Sequence, residues 1–271
     1  CGITAIVMAG GNDVSRGGMD LSIANNLAFC VAVMAGLLTA GYSLPFAMGI
    51  AVISSIVVGM LNALLVVPFK VIPLLATLAV MYLLQGAELL ITKNTVLHGD
   101  VLFFQYLANG TINNFPVPII IFGIVAIIMY FLFHQTIYGN WVHAIGGNPE
   151  AARNAGIRVG WIIASTYIIA GFIVAIAAFL VIGRLGGSVP GVGNLMLLDV
   201  LLAGLLSTIF SRLAIPNIQG AVLSAIFVSM LTNGFTLLHI PTYWIYAIKG
   251  LLILLAVTIT TKRQQGVNHS G

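Results

Sequence analysis

The chain has 271 residues, of which 60% are hydrophobic and 6% charged, and its formal net charge is +4. Because soluble domains carry about 25% charged residues, this composition excludes a water-soluble globular protein and indicates an integral membrane protein. Long unbroken apolar runs favour helical spans over the short alternating strands of a barrel. The small positive charge lies mostly in loops, so it indicates membrane orientation rather than nucleic-acid binding.

Apolar stretches of about 20 residues, the length that crosses the hydrocarbon core as a helix, recur along the whole chain. Seven are long enough for full spans: 21–40, 45–67, 72–91, 117–134, 161–183, 220–238 and 242–260. Two more, 2–11 and 199–210, are short or broken. The sequence therefore predicts an all-α, polytopic transmembrane helical bundle of about nine spans or half-spans, forming one domain over 1–271.

The polar breaks between these stretches suggest an internal repeat. Residues 1–40 consist of a short apolar segment, a polar break and a long span, and the same order recurs at 199–238. Ser15-Arg16 and Ser211-Arg212 stand at similar places in the two halves. Residues 184–198 form a glycine-rich loop just before the second copy. Interrupted helices are tolerated in membranes where they line a cavity, so we interpret both breaks as candidate parts of a transport pathway.

The longest polar break, 135–161, contains signals for a small helix. Asn148 can cap the first turn through its side-chain oxygen. Pro149 suits the first helical position, where no N–H partner is needed. Gly156 is placed to end the helix in the left-handed conformation.

The residues inside this small helix agree with that interpretation. Glu150 lies near the positive end of the helix dipole and Arg153 near the negative end, while Ala151 and Ala152 between them are strong helix formers. A two-turn helix is unstable alone in water, so it must pack against something. Its alanines offer a close-fitting surface for that contact. From physics alone, a docking element and a well-capped connector explain these residues equally well.

A family resemblance decides between the two. The run YGNWVHAIGGNPEAARNAGI resembles the cytoplasmic coupling loop of the ribose/xylose-type permeases of ABC importers. The resemblance implies that 135–160 is a cytoplasmic coupling loop whose short helix inserts into a cleft on the ATP-binding subunit. Because neither alanine has side-chain bulk, we expect one of them to meet that subunit at close range. The residues to which it assigns this role are Gly146, Gly147, Asn148, Pro149, Glu150, Ala151, Ala152, Arg153 and Gly156.

A second motif, GGMDLS at 17–22, resembles the family's G-G-I-D-L-S-V-G-S signature. Ala24 and Asn25 stand where the family has Gly and Ser. Asp20 precedes a long apolar helix that we expect to begin at Leu21, so the carboxylate is a candidate helix cap. An additional role at a gate stays open.

Uncharged polar residues inside the apolar spans are candidates for the translocation path. Hydrogen bonds between helices are their usual explanation, at about 0.6 kcal/mol each, but amides also recognise sugars. With the signature motif, the candidate path or gate residues are Gly18, Asp20, Ser22, Asn25, Asn62, Gln85 and Asn233. Glu88 lies near a span end, where we expect it to be solvated at the interface or paired with Lys93.

Lysine and arginine positions predict the orientation. With the coupling loop in the cytoplasm, seven of the ten basic residues fall inside: Arg16, Lys70, Arg153, Arg158, Arg212, Lys262 and Arg263. Lys93, Arg184 and Lys249 fit less cleanly. The majority favours this orientation over its inverse.

The sequence offers no catalytic constellation, metal-ligand spacing or cofactor motif. The five histidines are scattered, without a spacing such as H-E-x-x-H, and the phosphate-binding pattern G-x-x-x-x-G-K-[ST] is absent from the chain. We therefore expect a transport subunit rather than an enzyme, and one that takes its energy from a partner.

The resemblance covers 10–262 and implies a multi-pass permease subunit in the bacterial cytoplasmic membrane, with further spans before Cys1. It implies alternating access for a monosaccharide or similar small polar solute. The implied partners are an ABC ATP-binding subunit, a second permease chain, identical or different, and an extracytoplasmic solute-binding protein.

Two alternatives belong to other classes. An ion- or proton-coupled secondary transporter would need intramembrane acids or histidines, and we expect Asp20, Glu88 and Asp199 to lie near span ends, which argues against it. A structural or receptor-like membrane subunit would need no transport path. Co-purification with an ATPase separates these classes.

Overall fold

The computed structural model of the chain describes residues 19–99, 101–210 and 216–269. Over these residues it contains eleven helices: α1 Ile23–Thr39, α2 Leu44–Val66, α3 Pro73–Thr92, α4 Leu102–Asn109, α5 Val117–His134, α6 Ile137–Gly147, α7 Pro149–Asn154, α8 Val159–Leu185, α9 Val192–Ile209, α10 Ile218–Leu237 and α11 Thr242–His269. Four two-residue strands are also present: β1 Leu97–His98, β2 Thr111–Ile112, β3 Phe115–Pro116 and β4 Gly187–Ser188.

Helices long and apolar enough to cross a membrane dominate the fold. In the described part of the chain there are seven: α2, α3, α5, α8, α9, α10 and the Tyr243–Thr260 part of α11. The prediction of an all-α, polytopic helical bundle is therefore confirmed. The predicted span 21–40 is the shorter, 17-residue helix α1. The predicted segment 2–11, and with it the first break of the proposed repeat, lies outside the described residues, as do residues 211–215 of the second break.

One prediction about the spans is wrong. Residues 184–198 are not a glycine-rich loop throughout, and 199–210 is not a separate short segment, because α9 begins at Val192 and continues to Ile209. Two glycines misled the prediction. Gly191 precedes the helix in the left-handed conformation, with φ +78°. Gly193 gives close packing inside it, since a Cβ there would lie 2.5 Å from Asn25 Oδ1.

Helix α1 is the centre of the bundle and packs against α2, α3, α8 and α9. Val31, Met34 and Ala35 on it are completely buried in the main core. On one side of α1, α2 and α8 approach closely through small residues, as membrane helices commonly do. A Cβ at Gly171 would lie 2.5 Å from the carbonyl oxygen of Ser55, and the Ser55 hydroxyl donates to the Gly171 carbonyl at 2.7 Å.

The two ends of the bundle differ. At the end called here the ribbon end, β1 pairs antiparallel with β4, Leu97 opposite Ser188, and β2 pairs with β3 in a hairpin. The short helix α4 packs on α8 there, because Gly183 leaves room for the α4 backbone. Helices α6 and α7 connect the other ends of α5 and α8, so this second end is called the coupling end.

The structure also corrects the expectation for Glu88. Its side chain is buried rather than solvated at an interface, and Oε1 accepts a hydrogen bond from the Gly191 backbone N–H at 3.0 Å. Lys93 is exposed and is not its partner. Glu88 thus links α3 to the start of α9. Gly191, in the left-handed conformation just before α9, has a backbone N–H without an acceptor inside the helix, and Glu88 supplies that acceptor.

Asp199 and Lys249 form an ion pair between α9 and α11. The prediction that Asp199 lies near a span end is wrong, since it is in the interior of α9. Both side chains are largely buried, and Asp199 Oδ1 lies against the ammonium group of Lys249. The pairing also explains why Lys249 did not fit the orientation rule: its charge is compensated within the bundle. A second contact joins the same two helices: the hydroxyl groups of Thr208 and Thr260 lie 2.7 Å apart, at hydrogen-bond distance.

Candidate coupling segment and translocation path

Residues 135–160, called here the coupling segment after the role predicted for them, begin where α5 ends. Thr136 caps α6, accepting a hydrogen bond from the Gly139 N–H at 3.3 Å. Gly139 itself lies so close to the end of α5 that a Cβ would overlap the backbone of Phe133. The hydroxyl groups of Tyr138 and Ser165 are 2.8 Å apart and join α6 to α8. Helix α6 is therefore held against both neighbouring spans.

Helix α7 has the caps that the sequence predicts. Asn148 has an extended backbone, φ −152° and ψ 102°, and its Oδ1 accepts from the N–H groups of Glu150 at 3.0 Å and Ala151 at 3.1 Å. Pro149 occupies the first helical position. Gly156 has φ +83°, and its N–H donates to the Arg153 carbonyl at 3.0 Å. The six-residue helix is thus capped at both ends by local contacts.

The two alanines of α7 face opposite environments. Ala152 is only 3% exposed and packs with Ile145 of α6 and Val159 of α8 in a small apolar cluster. Ala151 is exposed. Because Ala152 is buried by contacts within the chain, Ala151 is the alanine that a partner can contact. The cluster fixes α7 to the first turn of α8.

The remaining surface of the segment is exposed and mixed in character. Gly146, Gly147, Glu150 and Arg153 are exposed. Beside them lies a concave pocket of about 410 Å³, whose lining residues include Trp141, Gly156, Arg158 and Trp161. Exposed tryptophan and arginine around a pocket are typical of the centres of protein interfaces. Sequence reasoning did not single out the two tryptophans, although the chain has only three and both lie within 135–161.

Asp20 lies just before α1 and is buried. Its Oδ1 accepts from the Ser22 N–H at 2.9 Å and from the Ser22 hydroxyl at 2.6 Å. The helix begins at Ile23, so Ser22 occupies the cap position and the prediction of a helix starting at Leu21 is wrong by two residues. Asp20 instead satisfies the N–H of the cap residue. Burial raises the pKa of its carboxyl to about 6, against the two hydrogen bonds, which lower it.

Three of the seven predicted path residues, Ser22, Asn25 and Asn62, tie helices together. The Asn62 amide donates to the Ser22 hydroxyl at 2.8 Å, linking α2 to α1. The Asn25 amide donates to the Met81 carbonyl of α3 at 3.2 Å and to Asn194 Oδ1 of α9 at 3.3 Å. Ser22, Asn25 and Asn62 are all buried. These contacts correspond to the interhelical hydrogen bonds that the sequence left open as the ordinary explanation.

The other predicted path residues lie elsewhere. Gln85 is half-buried on α3, Asn233 is exposed on α10, and Gly18 lies outside the described residues. The structure therefore brings Asp20, Ser22, Asn25 and Asn62 together around α1 but leaves Gln85 and Asn233 apart from them. Among the described residues, no group of three or more His, Cys, Asp or Glu could hold a metal ion.

A family model described as "Branched-chain amino acid transport system / permease component" matches residues 3–257. The chain belongs to this permease family. Its similarity extends to the ribose import permease protein of Bacillus subtilis (strain 168), with 31% identity over 252 residues, 92% of this chain and 78% of the relative. The ribose import permease protein of Escherichia coli is 29% identical over 251 residues, covering 91% and 78%.

The autoinducer 2 import system permease protein of Klebsiella pneumoniae is 28% identical over 250 residues, 90% of this permease and 75% of the relative. No solved structure matches. The predicted resemblance to sugar-type ABC permeases is thus confirmed. The permease is a multi-pass protein of the bacterial cytoplasmic membrane, with a transport rather than an enzymatic family assignment.

In this permease, the coupling segment contacts α8, and α8 packs against the centre of the bundle. Helix α7 is fixed to the start of α8 by Ala152 and Val159. Helix α8 in turn packs along α2 and on α1. The cap residue of α1, Ser22, and the preceding Asp20 lie in the buried polar cluster with Asn62. A displacement of α7 would therefore act on α8 first and on the α1 region through it.

Proposed function

We propose that the chain is the permease subunit of an ATP-driven importer that translocates a monosaccharide or similar small polar solute. The energy comes from a separate ATP-binding subunit, which docks on α6 and α7. The observation that carries this proposal is the coupling segment itself: a doubly capped helix, anchored from inside by Ala152, with Ala151, Glu150 and Arg153 presented outward.

The solute class is supported by the relatives. Their names give ribose, galactofuranose, xylose and autoinducer 2 as what they import or transport. All are small polar solutes, and a helical bundle with polar ties between its spans suits such cargo. The sequence at Asn25, which contacts Met81 and Asn194, differs from the family's signature motif. The individual solute is therefore identified by uptake assays with different sugars.

The two ends of the bundle offer surfaces for the partners that the family implies. The coupling end, with 135–160, lies in the cytoplasm and receives the ATP-binding subunit. The ribbon end lies outside and receives an extracytoplasmic solute-binding protein on its exposed hairpin and on α4, around Tyr106 and Phe115. A second permease chain completes the path, and alternating access results when the paired ATP-binding subunits close beneath the two coupling segments.

The intramembrane ion pair is the observation that favours the alternative of an ion- or proton-coupled transporter, because such carriers use buried charges. Here the two charges compensate each other between α9 and α11, so neither is offered to a transported ion. The pair fits a structural tie better than a coupling site.

Docking is tested by enlarging the one exposed alanine of α7. Ala151→Trp adds bulk only on the outer surface, so membrane level and melting temperature should equal those of the wild type. Overpacking a close contact costs about 1–3 kcal/mol, which is roughly a 5- to 150-fold loss of affinity. We expect recovery of the co-expressed ATP-binding subunit in detergent to fall accordingly, and solute uptake with it.

The matched control introduces the same residue at the opposite end of the molecule. Thr111→Trp, in the exposed hairpin, should leave recovery of the ATP-binding subunit unchanged. Wild-type recovery and uptake with Ala151→Trp would reduce the segment to a connector and remove the main support for the proposal.

A further inference from the structure

Helix α10 differs from the other spans in the polarity of its exposed surface. Ser229, Asn233 and Thr236 are all exposed in its ribbon-end half. Their spacing of four and three residues places them on one face of the helix. We refer to these three residues as the α10 polar stripe. Helix α5 provides the contrast: its exposed side chains are apolar, among them Ile124, Ile127 and Ile128, each about half exposed or more.

The polar stripe is unsuited to lipid. The Asn233 side-chain amide has no hydrogen-bond partner in the described part of the chain. Transferring an unpaired amide from water to hydrocarbon costs roughly 4–8 kcal/mol on the cyclohexane scale and about 1–3 kcal/mol by protein mutational data. The Thr236 hydroxyl is satisfied by the Thr232 carbonyl at 3.0 Å, but the Thr232 hydroxyl, next to the stripe, is buried without a partner. This face therefore meets water or another polar surface.

The neighbours of the stripe argue against a packed helix from a second copy. Helix pairs in membranes approach through small residues. Here Met230 and Leu237, 70% and 79% exposed, stand beside the stripe and would hold a second backbone away. On the same side nearer the coupling end, the exposed side chains are Gln219, in the first turn of α10, and then the apolar Leu223 and Ile226. A polar ribbon-end half followed by an apolar middle suits a water-filled vestibule that narrows towards the cytoplasm.

We propose that Ser229, Asn233 and Thr236 line the outer half of the translocation path and bind the hydroxyl groups of the solute there. An asparagine amide offers both donors and an acceptor, which is what neighbouring hydroxyl groups of a sugar require. Asn233 is then the residue of the stripe that most determines which solutes enter. The solute class in this inference rests on the proposed function, whereas the water accessibility of the stripe does not.

Cysteine labelling tests accessibility without knowledge of the solute. Single cysteines replace Ser229, Asn233 or Thr236 in a Cys1→Ser background, because the other native cysteine, Cys30, is completely buried. A positively charged, membrane-impermeant methanethiosulfonate reacts with thiolates, which form in water and not in hydrocarbon. Intact permease complexes in proteoliposomes are labelled, and the rates are compared with those of two control positions.

The control positions are exposed, like the stripe, but have different expected surroundings. Phe227→Cys, 45% exposed, is on another face of α10, and Ile127→Cys, 58% exposed, is on the apolar α5. We expect the three stripe cysteines to react at least tenfold faster than both controls, and the modified protein to lose uptake. Asn233→Ala should lower uptake of the transported sugar at least tenfold while recovery of the ATP-binding subunit stays at the wild-type level.

Two results would overturn the inference. Stripe cysteines that resist the reagent but form disulfides between two permease copies on mild oxidation would place the stripe in a copy-to-copy interface. Stripe cysteines that react no faster than Ile127→Cys would place it against lipid. Either result refutes the inference but not the proposed function, as long as the ATP-binding subunit still co-purifies with the permease. Conversely, loss of co-purification with unchanged labelling rates would refute the proposed function and not the water accessibility of the stripe.

Discussion

Replacing Asp199 by asparagine leaves the ammonium group of Lys249 inside the bundle without its counter-charge. Lys249 is almost completely buried, and Asp199 largely so. Removing one partner of a buried ion pair costs about 3–5 kcal/mol, because the other charge stays desolvated. Helix α11 packs chiefly on α9, so the loss should appear as detachment of α11. Among the described residues, the Thr208–Thr260 contact is then the polar tie that remains between the two helices.

The assay is thermal unfolding of the purified permease in mild detergent, with proteolysis of α11 as a local readout. Asp199→Asn should melt well below the wild type and expose α11 to protease. The control removes both charges, as Asp199→Leu with Lys249→Met, because an apolar pair of similar volume is often neutral or stabilising by about 1–4 kcal/mol. An Asp199→Asn variant as stable as wild type, or a double variant that loses the sum of the two single effects, would refute the reasoning.

Three further predictions concern the buried Asp20, the close approach of helices at Gly183 and the orientation of the permease in the membrane. Asp20→Asn keeps an oxygen for the Ser22 N–H and should be mild, whereas Asp20→Ala leaves that buried N–H without its acceptor and should cost about 1–3 kcal/mol of unfolding free energy. Burial raises the pKa of Asp20 from 3.8 to about 6, so between these pH values the folded state binds a proton that the unfolded state has released. The melting temperature of the wild type, measured relative to that of Asp20→Asn, should therefore fall as the pH rises from 3.8 through 6. A difference in melting temperature that stays constant over this pH range would contradict this. Gly183→Ala drives a Cβ into the α4 backbone and should destabilise the fold by about 1–3 kcal/mol, while Gly123→Ala, with open space around it, should not lower the melting temperature. In intact cells, an impermeant thiol reagent should label Thr111→Cys and spare Asn154→Cys, and the reverse pattern would invert the orientation.

The coupling helix could be predicted from the sequence because its determinants are local. Asn148, Pro149 and Gly156 act within a few residues of themselves, and each stands where a cap or a first helical position requires its particular chemistry. Sequence reasoning did not show which way the helix faces. Ala152 is buried by Ile145 and by α8, and no pattern within a two-turn helix distinguishes it from Ala151.

The remaining errors arose where a residue's partner lies far away in the chain. Gly193 resembles a loop glycine until α1 is packed against it. Glu88 resembles a solvated terminal acid until the Gly191 N–H meets it. Asp199 and Lys249 belong to different helices, and nothing near either residue indicates the other. Hydropathy predicts the spans, but only the packing of the bundle shows which polar groups are paired inside it.

The central claim is that ATP hydrolysis by a partner, transmitted through the coupling segment, powers the transport. The most direct measurement is uptake of labelled pentoses and hexoses into proteoliposomes that contain the permease with its co-expressed ATP-binding subunit and solute-binding protein, ATP being enclosed on the coupling side. We predict uptake that requires ATP, is unaffected by a proton uncoupler, and is lost with Ala151→Trp. Uptake by the permease alone, driven by a pH or sodium gradient without ATP, would contradict the account.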